Sequence, residues 1–581
     1  MHHKEQSGPG SVSLRRGISF SASGFLAGFS RKTLGTDILA GLALSAIVVP
    51  QSMAYAEIAG LPPQAGVFVS FAAPLAYALL GSSRQLICGP SSATAAISAA
   101  HIASLAAGSP AEFATMSAAL AVLSGVIFVV LGVLRLGFTA QYISAPVQIG
   151  FLFGLGLTII TGQLFTMLGV DAGHGPFIHL VPDLLSNLTH GNPWTLAIGV
   201  ITLVLMVLLG RLMPVFPSAL VLVAASIVIS TVLDLPARGV GVIGHIDRTV
   251  PTFAIPTVSL DTWMALLPGA LAVVFIGSSE SITIARRYAD KYRYEIKPDR
   301  EFLAVGVSGI ASGLFHGFVT SGGASQSAAN DRAGAKSQVS SLVVSAMALL
   351  AATLLLPYIA NMPHAVLAAI VVNAVRGFIS VPDMREIWQI DRTSFGIAMI
   401  ALVGVLVFGI LTGLVLAVGV AIFGLLIRFS RPGVTVLQHA RATEPAAQAA
   451  GSGAHPGLVA LRPESAILFI NSDWIRTEVQ ARIHAGQEEV IALDLEESPD
   501  LGYAGIKAIR SLREAAREAG KELWLTNVHA TVEAALRQAA LVHDDEPAWV
   551  FASHQTALDT FHQRHEPATS APQGSSQAAI S

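Results

Sequence analysis

The chain has 581 residues, 53% hydrophobic and only 12% charged, whereas soluble domains carry about 25% charged residues. It is therefore a polytopic membrane protein, and its net charge of −3 matters less than where the charges fall. The single cysteine, Cys88, excludes an internal disulfide, and no ligand spacing suggests a metal site.

Residues 1–34 are polar and basic (Arg15, Arg16, Arg31, Lys32), with no apolar core before a cleavage site, so no removable signal peptide is expected. From Thr36 to Phe429 apolar runs alternate with short connections, in a transport region expected to cover 35–432. Fourteen segments are predicted: 37–58, 60–81, 89–106, 112–133, 138–167, 194–210, 217–233, 262–285, 302–316, 322–332, 338–359, 363–379, 393–409 and 411–429. Several approach the roughly 20 residues that cross a bilayer. Every second connection holds Arg or Lys: Arg84, Arg135, Arg211, the 286–300 cluster, Arg332 with Lys336, Arg376 with Arg385 and Arg392, and Arg428 with Arg431. The opposite connections hold Arg238 and Arg248 and little else. That bias predicts two cytoplasmic termini in a cytoplasmic membrane protein. Seven segments in 35–235 and seven in 260–432 is an odd number per half, so two similar halves would be inserted in opposite orientations.

The third and tenth segments are unlike the rest. Cys88-Gly-Pro-Ser-Ser-Ala-Thr-Ala-Ala-Ile-Ser-Ala-Ala100 and Thr320-Ser-Gly-Gly-Ala-Ser-Gln-Ser-Ala-Ala-Asn330 are short and rich in small or polar residues. Each can begin a helix part-way through the bilayer, where the free N–H groups and about half a positive charge suit an anion. Interrupted segments at corresponding places in two halves are the best sequence pointer to a transporter's binding site. Small polar residues also let helices pack closely, and both readings stay open here.

Beyond Arg431-Pro432 the character changes. Residues 433–457 read as an Ala/Gly/Pro linker and 458–566 as a small soluble α/β domain. Its expected strands are Ala466–Ile470, Glu489–Leu495 and Glu522–Thr526, with helices over Gly505–Ala519 and Thr531–Leu541. The Ser/Ala/Gln-rich tail, 567–581, reads as disordered.

The run Pro50-Gln-Ser-Met-Ala-Tyr-Ala56…Gly60-Leu-Pro-Pro63, then Leu80-Gly-Ser-Ser-Arg84, Gly89-Pro90 and Asn330…Ala333-Gly-Ala-Lys336 follow one signature in order. By these the chain resembles the sulfate permease family of anion transporters, nearly end to end, and its C-terminal domain looks like a STAS domain. The resemblance implies a uracil-transporter-like fold of seven-plus-seven helices, a homodimer, and a core domain moving against a gate domain. It also implies a substrate site at Gln51 and Tyr55 on the first helix, Ser91 and Ser92 at the third, and Ala324, Ser325 and Gln326 at the tenth. Many relatives carry Arg where this chain has Gln326. A fixed positive charge beside the anion is then missing, and the helix N-termini or a co-transported cation must supply more of the field.

Glu280 lies inside the eighth segment. A carboxylate at membrane depth costs roughly 2.5–3.5 kcal/mol on insertion scales and is a functional candidate by default. The resemblance associates a Glu there with a coupled proton and an Asp with sodium, so protons are favoured and sodium stays possible. A permanent partner for Glu280 would make it structural instead. Glu57, His101 and His316 sit at segment ends and read as structural. In the C-terminal loop Pro499–Gly505, relatives that act as phosphorylation switches have Ser or Thr where this chain has Ala504. No hydroxyl is available there, so the domain is expected to stabilise, assemble or regulate, through a cytosolic regulator if any.

The reading is a proton-coupled secondary-active transporter of sulfate, bicarbonate or a C4-dicarboxylate, with membrane lipid around it and no cofactor or nucleic acid. The alternatives are a nucleobase permease of the same fold, or a membrane scaffold or sensor acting through the STAS-like domain. No Walker motif, nucleophile–base set or metal cluster suggests an enzyme.

Overall fold

The computed structural model describes residues 31–437 and 457–565, apart from 107–108, 143, 172–174, 214–216, 245, 247–249, 487 and 544–547. The expected tail and nearly all of the expected N-terminal region lie outside these, as does most of the linker. The chain forms two compact units, one ending at Ala421 and one beginning at Ile422, a boundary that falls within the last helix of the first series below.

The first unit opens with α1 (Leu34–Ile58), α2 (Pro63–Leu80), the two-residue strand β1 (Cys88–Gly89) and the short helix α3 (Ser92–Ala103). Next come α4 (Pro110–Val133), α5 (Ala145–Leu168), α6 (Phe177–Asn187), α7 (Pro193–Leu212) and α8 (Ser218–Val232). The same order then recurs. It runs α9 (Leu260–Tyr292), α10 (Pro298–Leu314), β2 (Ser321–Gly322), α11 (Ala324–Arg332), α12 (Val339–Leu354), α13 (His364–Val375), α14 (Val381–Ile390), α15 (Arg392–Phe408) and α16 (Ile410–Ser430).

Every predicted segment overlaps one of these helices. Among the described residues eight helical stretches are long and apolar enough to cross a membrane, and three shorter apolar helices accompany them. The sequence did not announce α6 and α14, which occupy corresponding places in the two halves. Each buries one residue, Leu180 and Met384 respectively, as amphipathic helices do at an interface. The predicted segment 138–167 is two pieces, a 3-10 helix over Gly137–Tyr142 and then α5, with Pro146 in its first turn. The predicted 262–285 segment continues to Tyr292.

Small residues set the helix spacing. A Cβ on Gly66 would stand 2.0 Å from the carbonyl oxygen of Ser52, so α2 can lie against α1 at the Gln51 turn only without a side chain there. Gly125 on α4 and Gly306 on α10 meet the same way, each Cβ falling 2.6 Å from the other's carbonyl oxygen. The Leu80-Gly-Ser-Ser-Arg84 stretch has a physical role too. Ser82 N and Oγ (2.7 and 2.6 Å) and Ser83 N (3.0 Å) donate to Glu301 Oε1, while Tyr77 Oη donates to Oε2 at 2.6 Å. The carboxylate is fully buried and ties α2 and its following loop to α10.

In the second unit β3 (Val434–Leu437) pairs antiparallel with β4 (Leu458–Pro463), which continues in parallel to β5 (Val490–Asp494) and β6 (Glu522–Thr526). The helices are α17 (Ser472–Ala485), α18 (Tyr503–Glu518), α19 (Ala530–Gln538) and α20 (His554–His565). Residues 434–437, expected as linker, are thus a strand. Ala466–Ile470, expected as a strand, is not one: β4 ends at Pro463 and the apolar run is a turn into α17. The Asn471 side chain holds that turn, accepting from Leu468 N at 2.8 Å and donating to Ala466 O at 3.0 Å. Ala504 lies in the first turn of α18.

Candidate functional site

The two interrupted segments meet. Cys88 pairs with Gly322 and Gly89 with Ser321, antiparallel, and Gly323 N donates to Ile87 O at 2.9 Å. Because the strands run in opposite directions and each leads into its helix, α3 and α11 start at one place and leave it oppositely. In α3 the first backbone bond is Ala95 N to Ser91 O, and in α11 it is Ser327 N to Gly323 O. The N–H groups of 92–94 and 324–326 therefore have no intrahelical acceptor.

Pro50 interrupts α1 one residue before Gln51. Gln51 Nε2 donates to Tyr55 Oη at 2.7 Å and to Ser325 Oγ at 2.9 Å. Both oxygens accept from the amide, so each hydroxyl keeps its own hydrogen to donate. Ser92 and Ser325 both face the Tyr55 hydroxyl, so Gln51, Tyr55, Ser92 and Ser325 form one cluster spanning both halves. Ala324 and Ser325 are exposed although they lie amid buried helices; Ala324 offers only its backbone N–H. Gln326 is fully buried, and its Nε2 donates to Pro90 O at 3.3 Å, so it links the two interrupted segments.

Glu280 projects from α9 to the same junction. Its Oε2 accepts from Ser91 Oγ and from Ser321 Oγ, each at 3.0 Å. Ser91 thus serves the carboxylate rather than capping α3. Among the described residues no cation pairs with Glu280. Sequence reasoning missed Ser321, and it missed Ser281, whose Oγ accepts from Gly322 N at 2.8 Å. Both read as ordinary small residues until the fold brings α9 and β2 together. The end-of-segment residues have partners. Glu57 Oε1 lies 2.8 Å from His364 Nδ1, and buried His101 lies 2.9 Å from Ala265 O through Nε2.

A cavity of about 290 Å³ adjoins the cluster, lined among others by Gln51, Ser325, Asn373, Arg332 and Arg376. Of the expected site residues Gln51 and Ser325 line it, and Ser325 brings a hydroxyl from the first turn of α11. Such a surface suits a small ligand that accepts hydrogen bonds and carries negative charge.

The sulfate permease family model matches residues 34–401, and a STAS domain matches 453–557. A protein named as a probable sulfate transporter of Mycobacterium tuberculosis is 32% identical over 546 residues, covering 92% of this chain and 97% of the relative. One named as probable sulfate transporter 3.3 of Arabidopsis thaliana is 30% identical over 488 residues, covering 79% and 76%. The murine Slc26a9 anion transporter, solved in an inward-facing state, shares the fold with a TM-score of 0.86 at 24% identity, covering 95% and 97%. The transmembrane domain of the cyanobacterial bicarbonate transporter BicA aligns with a TM-score of 0.60 at 22% identity, covering 67% and 99%.

Proposed function

Since this chain belongs to the sulfate permease family and is an anion transporter rather than an enzyme, we propose that it is a secondary-active oxyanion carrier driven by protons through Glu280. The relatives named as sulfate transporters put sulfate first, with bicarbonate and C4-dicarboxylates behind it. The observation that carries the reading is the junction itself. Gln51, Tyr55 and Ser325 join the two halves at the head of a cavity, and Glu280 touches both interrupted segments there.

Coupling follows from electrostatics. A charged Glu280 competes with a bound anion for the positive end of α3 and repels it. Protonation removes that repulsion, so anion and proton bind together and leave together. Ser91 and Ser321 stabilise the empty, charged state by donating to the carboxylate. In this reading the exposed Ser325 and the cavity mark an open half of the cycle, facing the cytoplasm in keeping with the basic connections. The same reading includes a cytoplasmic membrane location with both termini inside, a homodimer, and a regulatory or assembly role for the STAS-like unit.

Uptake of radiolabelled sulfate, bicarbonate and fumarate into proteoliposomes, with and without an inward proton gradient, tests it. Wild type should accumulate one of them only with the gradient, and Glu280→Gln should lose accumulation. Uptake that ignores the gradient and survives the substitution would make Glu280 structural. A carrier that takes none of the three would return the nucleobase and scaffold readings.

A further inference from the structure

The site's missing charge has a replacement further along the same cavity. Arg332 and Arg376 both line it, from two different helices of the second half: Arg332 is the last residue of α11, and Arg376 follows the last residue of α13. Both are exposed. Among the described residues neither guanidinium has an ion-pair partner. The acid adjacent to Arg332 is already engaged, since Asp331 accepts from Lys291 Nζ at 2.6 Å and from Tyr292 Oη at 2.5 Å. Arg332 therefore presents an uncompensated charge to the cavity. Asn373 also lines this wall, and its buried Oδ1 has no partner among the described residues.

Arg332 lies seven positions after Ser325, about 10 Å along a helix. In bulk water at physiological salt that distance exceeds the screening length of about 8 Å. Inside a cavity with low-dielectric walls the field is focused and reaches further. Two guanidinium groups, each a planar fork of donors, match the oxygens of a tetrahedral or carboxylate oxyanion.

We propose that Arg332 and Arg376 form a second oxyanion subsite at the mouth of the cavity, which holds the substrate between the cytoplasm and the Gln51–Ser325 cluster. The subsite rests on the transport reading above and deepens it. It supplies at the mouth the fixed positive charge that Gln326 does not supply at the head. An anion leaving Ser325 steps to the arginines before it reaches water, and one entering from that side is collected there first.

Radiolabelled sulfate uptake by right-side-out and inside-out membrane vesicles carrying the full chain tests this, with wild type, Arg332→Gln, Arg376→Gln and Arg376→Lys compared. At low ionic strength each Gln variant should raise KM from the cytoplasmic face roughly tenfold and leave KM from the outer face unchanged. High salt should shrink the difference, and the Lys variant should recover most of it. Equal KM changes at both faces, or none, would overturn the subsite and leave the arginines as neutralisers of helix C-terminal charge. If Arg332→Gln fails to fold, Arg376→Gln decides by the same comparison. Wild-type vesicles that take up no sulfate, bicarbonate or fumarate from either face would instead overturn the transport reading, and the subsite with it.

Discussion

Ser325 is the side chain on which the proposed binding geometry turns. It receives the Gln51 amide and keeps a hydrogen to give to a ligand, and with Ala324 it is exposed at the start of an otherwise largely buried segment. A hydrogen bond to a charged group contributes about 1.5–3 kcal/mol, so Ser325→Ala should weaken sulfate binding about 10–150-fold. Equilibrium binding of sulfate to the purified chain measures this, with thermal stability as the control for folding. Affinity within a factor of two of wild type would remove Ser325 from the site. It was legible in the sequence as a candidate because it stands in a run too polar to face lipid. Glu280 was legible as a candidate for another reason, a carboxylate set inside an apolar segment. The partners of Glu280 were not: Ser321 lies 41 positions away and Ser91 189 away, and neither has a local pattern that points to a carboxylate. Arg376 was read only as a topology marker, since nothing in its neighbourhood in the chain shows that it faces a cavity.

At the scale of elements the hydropathy runs located the helices well, because long apolar stretches have one stable use in a membrane. What they could not show is what happens between runs. The pairing of β1 with β2 joins residues more than 200 positions apart, and Gly-Pro or Gly-Gly reads locally only as a break. The short helices α6 and α14 are half polar and fall below the spanning length, so they merge with loops on any window average. The β4 misplacement has a similar source: Ala466–Ile470 is as apolar as a strand, yet Pro463 and the Asn471 side chain make it a turn. Helix spacing gives this scale its prediction. Gly66→Ala forces a carbon to within 2.0 Å of the Ser52 carbonyl, which must push α2 off α1 beside Gln51. Overpacking of this kind costs about 1–3 kcal/mol, and the displaced Gln51 should also lose sulfate affinity. Gly162→Ala is the comparison, because a Cβ there meets nothing within 4 Å and removing a mid-helix glycine favours the helix by about 0.5–1 kcal/mol. A thermal midpoint lowered by the first and held or raised by the second is the expected pair. Equal midpoints would mean that α1 and α2 can separate without consequence.

For the whole molecule the question is how the labour is divided between the two units. Each has its own apolar core: Phe68, Phe151 and Val273 lie in one, and Ile475, Leu493 and Trp524 in the other. Every side chain proposed to touch substrate or proton lies between Gln51 and Arg376, in the first unit. In the second, Asp494 at the end of β5 is the polar keystone. Its side chain is fully buried, Arg462 donates to it at 2.7 and 3.1 Å, and Asn527 Nδ2 donates at 3.1 Å. Arg462 is itself about a third exposed and also meets Glu496. Asp494→Ala should therefore cost about 1–3 kcal/mol, the usual range for leaving buried donors unpaired, rather than the larger loss of a wholly buried ion pair. The substitution in the full chain should open the second unit to limited proteolysis. If that unit stabilises or assembles the transporter, maximal uptake should fall with the amount of intact protein while KM for sulfate stays at the wild-type value. A changed KM would carry the opposite meaning: the STAS-like unit would then set the energy of the transport cycle itself, and Ala504 would mark the loss of one means of regulation rather than the loss of regulation.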